Sequence, residues 1–284
     1  MNFILLVLII ACFSIQNVAK KSYNVRTGGG VYSFAAGSAL AAAVVFFITS
    51  GGKLTFTDET FGFAVAFAAA YSISIVASML AIRWGPLSLS SLIISCSLII
   101  PTLFGIIFLE EPVSIWMVAG ILLLLATLVL VNIEKKTSER KVTLRWGVCI
   151  FFAFIGNGAC STAQKLQQIA SGGLYKNEMM ILALCIVIAV MAILATITER
   201  KNALSHLKCG FAHFTICGIA NGVVNYLVMV LATRMSASVM FPVISAGGVV
   251  LAALVAIFIY KEKLQPQQWL GMLFGILAIV LLNL

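Results

Sequence analysis

The side chains best suited to bind a ligand are a few amides, a tyrosine and a lysine that interrupt otherwise apolar segments. Each amide offers two hydrogen-bond donors and an acceptor, so a group of amides can hold a small polar molecule. Asn221 and Asn225 are four residues apart and therefore share one face of a helix. The predicted ligand-binding residues are Gln16, Asn17, Tyr71, Asn157, Lys165, Asn221 and Asn225.

The same side chains also have structural explanations, which the sequence leaves open. Amides inside a membrane can hydrogen-bond one helix to another instead of binding a ligand. Lys165 can extend its ammonium to the membrane interface. The segment that holds Asn157 and Lys165 is the richest in polar side chains, and it also contains Gln164.

Catalytic and metal chemistry are not indicated by this sequence. All nine acidic residues fall at the ends of apolar segments or between them, and only two histidines are present. The seven cysteines form no CxxC pair, and we interpret them as small core residues. We therefore expect neither an enzyme nor a bound cofactor or metal.

The composition indicates a membrane protein. The chain is 62% hydrophobic and 10% charged, with a mean hydropathy of +1.13, whereas about a quarter of the residues of a soluble domain are charged. The net charge of +9 comes mostly from Lys and Arg between apolar segments, so no nucleic-acid partner is expected. The expected partners are the lipid bilayer and a small-molecule substrate, with the chain as a monomer or homodimer.

The apolar segments predict an all-α integral membrane fold of ten transmembrane helices. A helix needs about 20 apolar residues to cross a bilayer. A polar stretch near the middle separates a first half, 1–133, from a second half, 145–284, through a cytoplasmic linker, 134–144. The predicted spans are 3–19, 31–50, 61–82, 87–109, 113–133, 145–166, 179–198, 209–231, 236–259 and 267–284.

The two halves show signs of an internal repeat. Residues 80–133 align with 231–284 without a gap, and the matched pairs include Arg83 with Arg234, Glu111 with Glu262, Gly120 with Gly271, and Asn132 with Asn283. Because each half has an odd number of spans, homologous halves would be inverted relative to each other. Inverted repeats are common in secondary transporters, where the solute site lies between the halves.

The distribution of basic residues predicts the orientation of the chain. Cytoplasmic loops carry an excess of Lys and Arg. This places both termini outside the cytoplasm, because the loops after odd-numbered spans hold 14 of the 18 basic residues. Those residues are Lys20, Lys21, Arg26, Arg83, Lys135, Lys136, Arg140, Lys141, Arg145, Arg200, Lys201, Lys208, Lys261 and Lys263.

The ends of the halves resemble the repeated signature of the drug/metabolite transporter superfamily, in its EamA-like ten-helix branch. The resemblance implies a five-plus-five inverted repeat that works by alternating access around a cavity lined mainly by spans 1, 3, 4, 6, 8 and 9. The residues that carry it are Glu111 and Gly120, Glu262 and Gly271, Gly156-Asn157-Gly158, and the lysines that close spans 1 and 6, Lys20 or Lys21 and Lys165.

One departure from that superfamily bears on the mechanism. Its small multidrug-resistance branch has a membrane-embedded glutamate eight residues before the closing lysine, where this chain has Cys12 or Phe13 and Asn157. We therefore do not expect glutamate-based proton/drug exchange. The leading hypothesis is a secondary transporter of a small neutral or zwitterionic polar metabolite, such as an amino acid. The alternative is a flippase-like or scaffold subunit that binds a lipid headgroup or a partner protein.

Overall fold

The long apolar segments form helices in the part of the chain that the structure describes. The computed structural model describes residues 2–84, 90, 93–94, 96–131, 143–258 and 266–282. Within these ranges the fold is all-helical, with one 3₁₀ turn at Arg200–Asn202. The α-helices are α1 (Asn2–Thr27), α2 (Val31–Ser50), α3 (Asp58–Trp84), α4 (Ile99–Phe108), α5 (Ile115–Val131), α6 (Leu144–Ala170), α7 (Lys176–Thr198), α8 (Ala203–Ala232), α9 (Ala237–Phe258) and α10 (Pro266–Leu282).

Among the described helices, six are long and apolar enough to cross a membrane. They contribute the segments Asn2–Lys20, Val31–Ser50, Asp58–Ala81, Leu144–Ala170, Lys176–Thr198 and Ala203–Ala232. A helix rises 1.5 Å per residue, so about 20 residues cover the roughly 30 Å of hydrocarbon. The described parts of α4, α5, α9 and α10 are shorter but also apolar. The chain is thus a multi-pass membrane protein.

Each predicted span overlaps one of these helices, and α1 and α8 each have one end that lies six or more residues beyond the prediction. Helix α1 continues to Thr27, beyond the predicted end at residue 19, and α8 begins at Ala203, before the predicted start at 209. Both extensions are polar enough to end a hydropathy window, yet polar residues remain helical outside the hydrocarbon. The end of α1 is followed by Gly28 and Gly30, whose φ angles of 62° and 80° suit glycine.

Some predicted features lie outside the described residues. These include most of the linker 134–144, the start of the span predicted at 87–109, and Glu262 with its match to Glu111. The repeat alignment can therefore be followed structurally only in part.

The described chain divides into two compact units that each use both halves of the sequence. Unit I comprises Met1–Ile10, Ala77–Thr162 and Arg234–Leu284. Unit II comprises Ala11–Val76 and Ala163–Thr233. The predicted sequence halves are therefore each divided between the two units.

Unit II is built around α2, which packs against α7 and α8. Glycines on α8 allow the close approach of α2. A methyl group on Gly218 would collide with the Ser38 carbonyl oxygen, and one on Gly222 would lie 2.9 Å from Val45 Cβ. Small residues at such contacts let membrane helices gain van der Waals packing, since the hydrophobic effect does not drive their association in lipid.

Unit I is built around α9, which packs against α4, α5 and α10, while α5 also packs against α10. Glu111, in the connection between α4 and α5, holds the start of α9. Its Oε1 accepts the Ala237 N–H at 2.7 Å, and its Oε2 accepts the Ser238 N–H at 2.7 Å. Glu111 is thus a helix cap, the structural role that its position between two helices suggests.

The cysteines agree only in part with their interpretation as core residues. All seven are free thiols. Cys160 and Cys217 are buried, but Cys185 and Cys209 are exposed. The interpretation is therefore wrong for these two, because a thiol is apolar enough to face lipid or the end of a helix as readily as a core.

Candidate functional site

Four amide side chains from three helices of unit II form one hydrogen-bonded series. Gln164 Nε2 on α6 donates to Asn225 Oδ1 on α8 at 2.8 Å. Asn225 Nδ2 donates to Asn221 Oδ1 at 3.0 Å. Asn221 Nδ2 in turn donates to Gln16 Oε1 on α1 at 3.1 Å. We call these four residues the amide chain.

The direction of the amide chain is fixed by a backbone carbonyl. Asn225 Nδ2 also donates to the main-chain oxygen of Asn221 at 2.8 Å. A carbonyl only accepts, so the nitrogen of Asn225 must face it, and the side-chain oxygen of Asn225 must face Gln164. Each later amide then accepts from one neighbour and donates to the next. The oxygen and nitrogen assignments therefore follow from the hydrogen bonds.

The amide chain ends in a donor that has no partner. Gln16 is 2% exposed, and its Nε2 is buried without a hydrogen bond to any residue in the described ranges. An unpaired buried donor costs about 1–3 kcal/mol. This end of the chain is therefore suited to a ligand that brings an acceptor.

Gln164 was not among the predicted ligand-binding residues, although it lies in the apolar segment that is richest in polar side chains, which could have indicated a binding role. It is 2% exposed, and its Nε2 also lies 3.7 Å from Met180 Sδ. It lies seven positions after Asn157, on the same helix, and the sequence does not distinguish which of the two amides would join Asn225. Only the packing of α6 against α8 decides the choice.

Lys165 supports the end of a helix. It is 5% exposed, and its Nζ donates to the Ala232 carbonyl oxygen at 2.7 Å. Ala232 is the last residue of α8, where the helix dipole favours a positive charge. The carbonyls at the α8 terminus thus provide the Lys165 ammonium with a partner inside the protein.

The predicted aromatic residue lies in unit II on α3. Tyr71 is half-buried, and its ring stacks on Phe67 with 5.8 Å between centroids. A second aromatic side chain of unit II, Tyr226 on α8, has the Lys176 ammonium 5.6 Å from its ring centroid. The side chain of Asn17 lies outside the described part of the structure.

Asn157 belongs to unit I and is not part of the amide chain. Its Nδ2 donates to Ser97 Oγ at 2.6 Å, and Ser97 Oγ donates to the Ile94 carbonyl at 2.6 Å. Asn157 is half-buried. Of the predicted residues, the structure thus brings together Gln16, Asn221 and Asn225.

Acidic side chains in the described ranges serve helix ends and loops, as the sequence predicted. Glu199 follows α7 and accepts the Tyr32 N–H at the start of α2 at 2.7 Å. Its other oxygen lies 3.7 Å from His206 Nδ1. Glu178, in the first turn of α7, accepts the Thr55 N–H at 3.3 Å. None of these carboxylates is hydrogen-bonded to the amide chain.

The polar end of α1 is held by Tyr23, beyond the apolar segment Asn2–Lys20. The Tyr23 hydroxyl donates to the Gly30 carbonyl at 2.9 Å. Burial raises the pKa of Tyr23 to about 12, a hydrogen bond with Thr27 works in the opposite direction, and the charge of Glu199 adds to the rise. Tyr23 therefore remains a hydrogen-bond donor at neutral pH.

Comparison with known proteins gives one family match and a structural match to a solved protein. Residues 145–284 match the EamA-like transporter family. A solved structure, titled only "Crystal structure of protein", superposes with a TM-score of 0.81 over 100% of this chain and 98% of that chain. Its 13% identity makes this a likeness of fold alone. No curated protein matches the sequence significantly.

The family match coincides with the second half of the sequence, from the start of α6 onward. EamA-like proteins are membrane transporters of small molecules and not enzymes. This agrees with a multi-pass helical protein whose buried polar side chains include four glutamines. The chain belongs to the EamA-like transporter family, within the drug/metabolite transporter superfamily.

Proposed function

We propose that this protein is a secondary transporter that moves a small neutral or zwitterionic polar metabolite, such as an amino acid, by alternating access. The observation that carries the proposal is the amide chain of Gln16, Asn221, Asn225 and Gln164, which ends in an unpaired donor. Buried polar groups inside a membrane protein are costly, so their concentration at one place favours a binding role.

The chemistry of the amide chain supports a neutral or zwitterionic solute. Its members are uncharged and offer both donors and acceptors. No carboxylate is hydrogen-bonded to it within the described residues, so a cation would find no counter-charge there.

The packing of corresponding helices supports an inverted repeat. If the two halves are homologous, α2 corresponds to α7, α4 to α9 and α5 to α10. Each of these pairs is in contact within its own unit. A two-fold axis brings corresponding helices together in this way, and inverted repeats provide the two alternative conformations of many secondary transporters.

A thermal-shift screen of metabolites on the purified protein, followed by counterflow of the labelled solute in liposomes, tests this function. We expect a polar metabolite to raise the unfolding temperature and to exchange across the membrane. Stabilisation by lipid-headgroup compounds such as glycerophosphocholine, without exchange of any metabolite, would favour the flippase-like alternative.

Variants of the amide chain test the site. Asn225→Ala removes the contact with the Asn221 carbonyl and should weaken solute affinity about tenfold, the effect of losing about 1.4 kcal/mol. Asn202→Ala, at an exposed position between α7 and α8, is the matched control and should leave affinity unchanged. Equal affinities in the two folded variants would remove the amide chain from the solute site.

Asn157 stays a predicted member of the solute site and is tested separately. If it serves only to join α6 to Ser97, then Asn157→Ala should lower the unfolding temperature and leave the solute affinity unchanged. If it also binds solute, the affinity should fall. Measuring both quantities on the same preparation distinguishes these roles.

A further inference from the structure

We propose that the solute carries a carboxylate, and that this group binds Gln16 Nε2 with the Lys20 ammonium as its counter-charge. This inference rests on the proposed function, because it names the end of the solute that the amide chain receives. It also assigns the positive charge of the site to Lys20 on α1 and not to Lys165 on α6.

The hydrogen bonds of the amide chain all run in one direction. The Asn221 carbonyl fixes Asn225, Asn225 fixes Asn221, and Asn221 takes the oxygen of Gln16. The nitrogen of Gln16 is left as the terminal group, and it is buried and unpaired. Turning the Gln16 amide over would place two NH₂ groups face to face. The amide chain therefore presents a donor, which a carboxylate satisfies and an ammonium does not.

Lys20 lies one helical turn beyond Gln16 on the same face of α1. The contacts of α1 with α8 run in opposite chain directions. Gln16 meets Asn221, and Tyr23 packs with Phe214 and Cys217. Lys20 lies between these two contacts on the same face of α1. Lys20 is only partly buried. Its charge therefore lies along the same α1–α8 contact as the unpaired donor.

Lys165 is engaged at the end of α8 and does not take this role. Its ammonium donates to the Ala232 carbonyl at 2.7 Å at the end of α8, and its side chain is 5% exposed. Moving it to a solute would leave that carbonyl without its charged partner. Lys165 therefore positions α8, and Lys20 supplies the charge.

The terminal donor of the amide chain is enclosed in this structure. Gln16 Nε2 has no solvent access in this structure, so a carboxylate reaches it only when neighbouring side chains move. A ligand that binds one conformation better than another shifts the balance between them. Pairing the donor with a carboxylate supplies such a difference.

The test compares neutral amino acids with their primary amides and their decarboxylated amines, by thermal shift and by competition against a labelled amino acid. For the wild-type protein we expect the acids to bind at least tenfold more tightly than the amines, with the amides between them. Gln16→Glu keeps the oxygen that accepts from Asn221 and replaces the terminal donor by a negative charge. We expect this variant to lose the acids and to prefer the amines.

Lys20→Met provides an independent test should Gln16→Glu fail to fold. It should reduce the preference for acid over amide several-fold, whereas Lys53→Met, at an exposed loop position, should leave that preference unchanged. The inference is overturned if wild type binds acids and amines equally, or if neither variant at 16 or 20 alters the preference. In both cases the proposed function still stands. If no compound binds and no counterflow is seen, the proposed function itself is overturned.

Discussion

Replacing Glu111 by glutamine removes the charge that holds the first turn of α9. Its two oxygens accept the Ala237 and Ser238 N–H groups, both at 2.7 Å. Glutamine keeps one of these oxygens but turns the other acceptor into an NH₂ group that faces a backbone N–H. One hydrogen bond is then lost, and the other is no longer charge-assisted.

The expected cost follows from these two changes. Hydrogen bonds to charged groups contribute about 1.5–3 kcal/mol each, and a negative charge at a helix N-terminus adds about 0.3–1 kcal/mol. These terms overlap, so we expect Glu111→Gln to lower the free energy of unfolding by about 2–3 kcal/mol. The close packing of Gly105 against the Glu111 carboxylate gives the side chain little room to relax.

Unfolding of the detergent-solubilised variants measures this cost. Glu110→Gln is the matched control, since it removes the same charge from the adjacent, exposed position. Surface changes of this kind cost within about 0.5 kcal/mol. Because Glu111 serves a helix end, any pH dependence of transport should survive Glu111→Gln in the folded protein. Equal destabilisation by the two variants would refute the assignment of Glu111 as the α9 cap.

Three further outcomes are expected. Gly218→Ala should lower the free energy of unfolding by about 1–3 kcal/mol, because its methyl group would collide with α2. The control Gly62→Ala has open space around it and should not be destabilised. Equal unfolding temperatures for the two variants would contradict the α2–α8 packing. The absorbance difference between wild type and Tyr23→Phe should show one tyrosine ionising near pH 12. Tyrosine in the unfolded chain ionises near about pH 10, so the free energy of unfolding should fall as the pH rises from the unfolded to the folded pKa. A cysteine at Ser138, with the native cysteines replaced, should resist an impermeant thiol reagent in intact cells; labelling there would reverse the predicted orientation.

The helices were predictable because lipid immersion is a local property of the sequence. A run of about 20 apolar residues is sufficient to identify a membrane helix, whatever it packs against. The ends were less predictable. Residues 20–27 of α1 are too polar for the hydrocarbon, yet they are helical as far as Thr27. A hydropathy pattern marks where the apolar segment ends but not where the helix ends.

The hydrogen-bond partners were predictable only where helix geometry sets them. Asn221 and Asn225 share a face by their spacing, and they are in fact hydrogen-bonded. The partners of Gln16 and Gln164 depend on which helices become neighbours. The same holds for Lys165, whose carbonyl partner at Ala232 is 67 residues away in the chain. Long-range packing of this kind leaves no trace in local residue spacing.

A structure with a stabilising solute bound, by crystallography or cryo-electron microscopy, tests the central claim most directly. We expect an acceptor oxygen of the solute about 2.7–3.2 Å from Gln16 Nε2, with the order of donors and acceptors along Asn221 and Asn225 preserved. A solute bound elsewhere, with Gln16 Nε2 still buried and unpaired, would contradict the account.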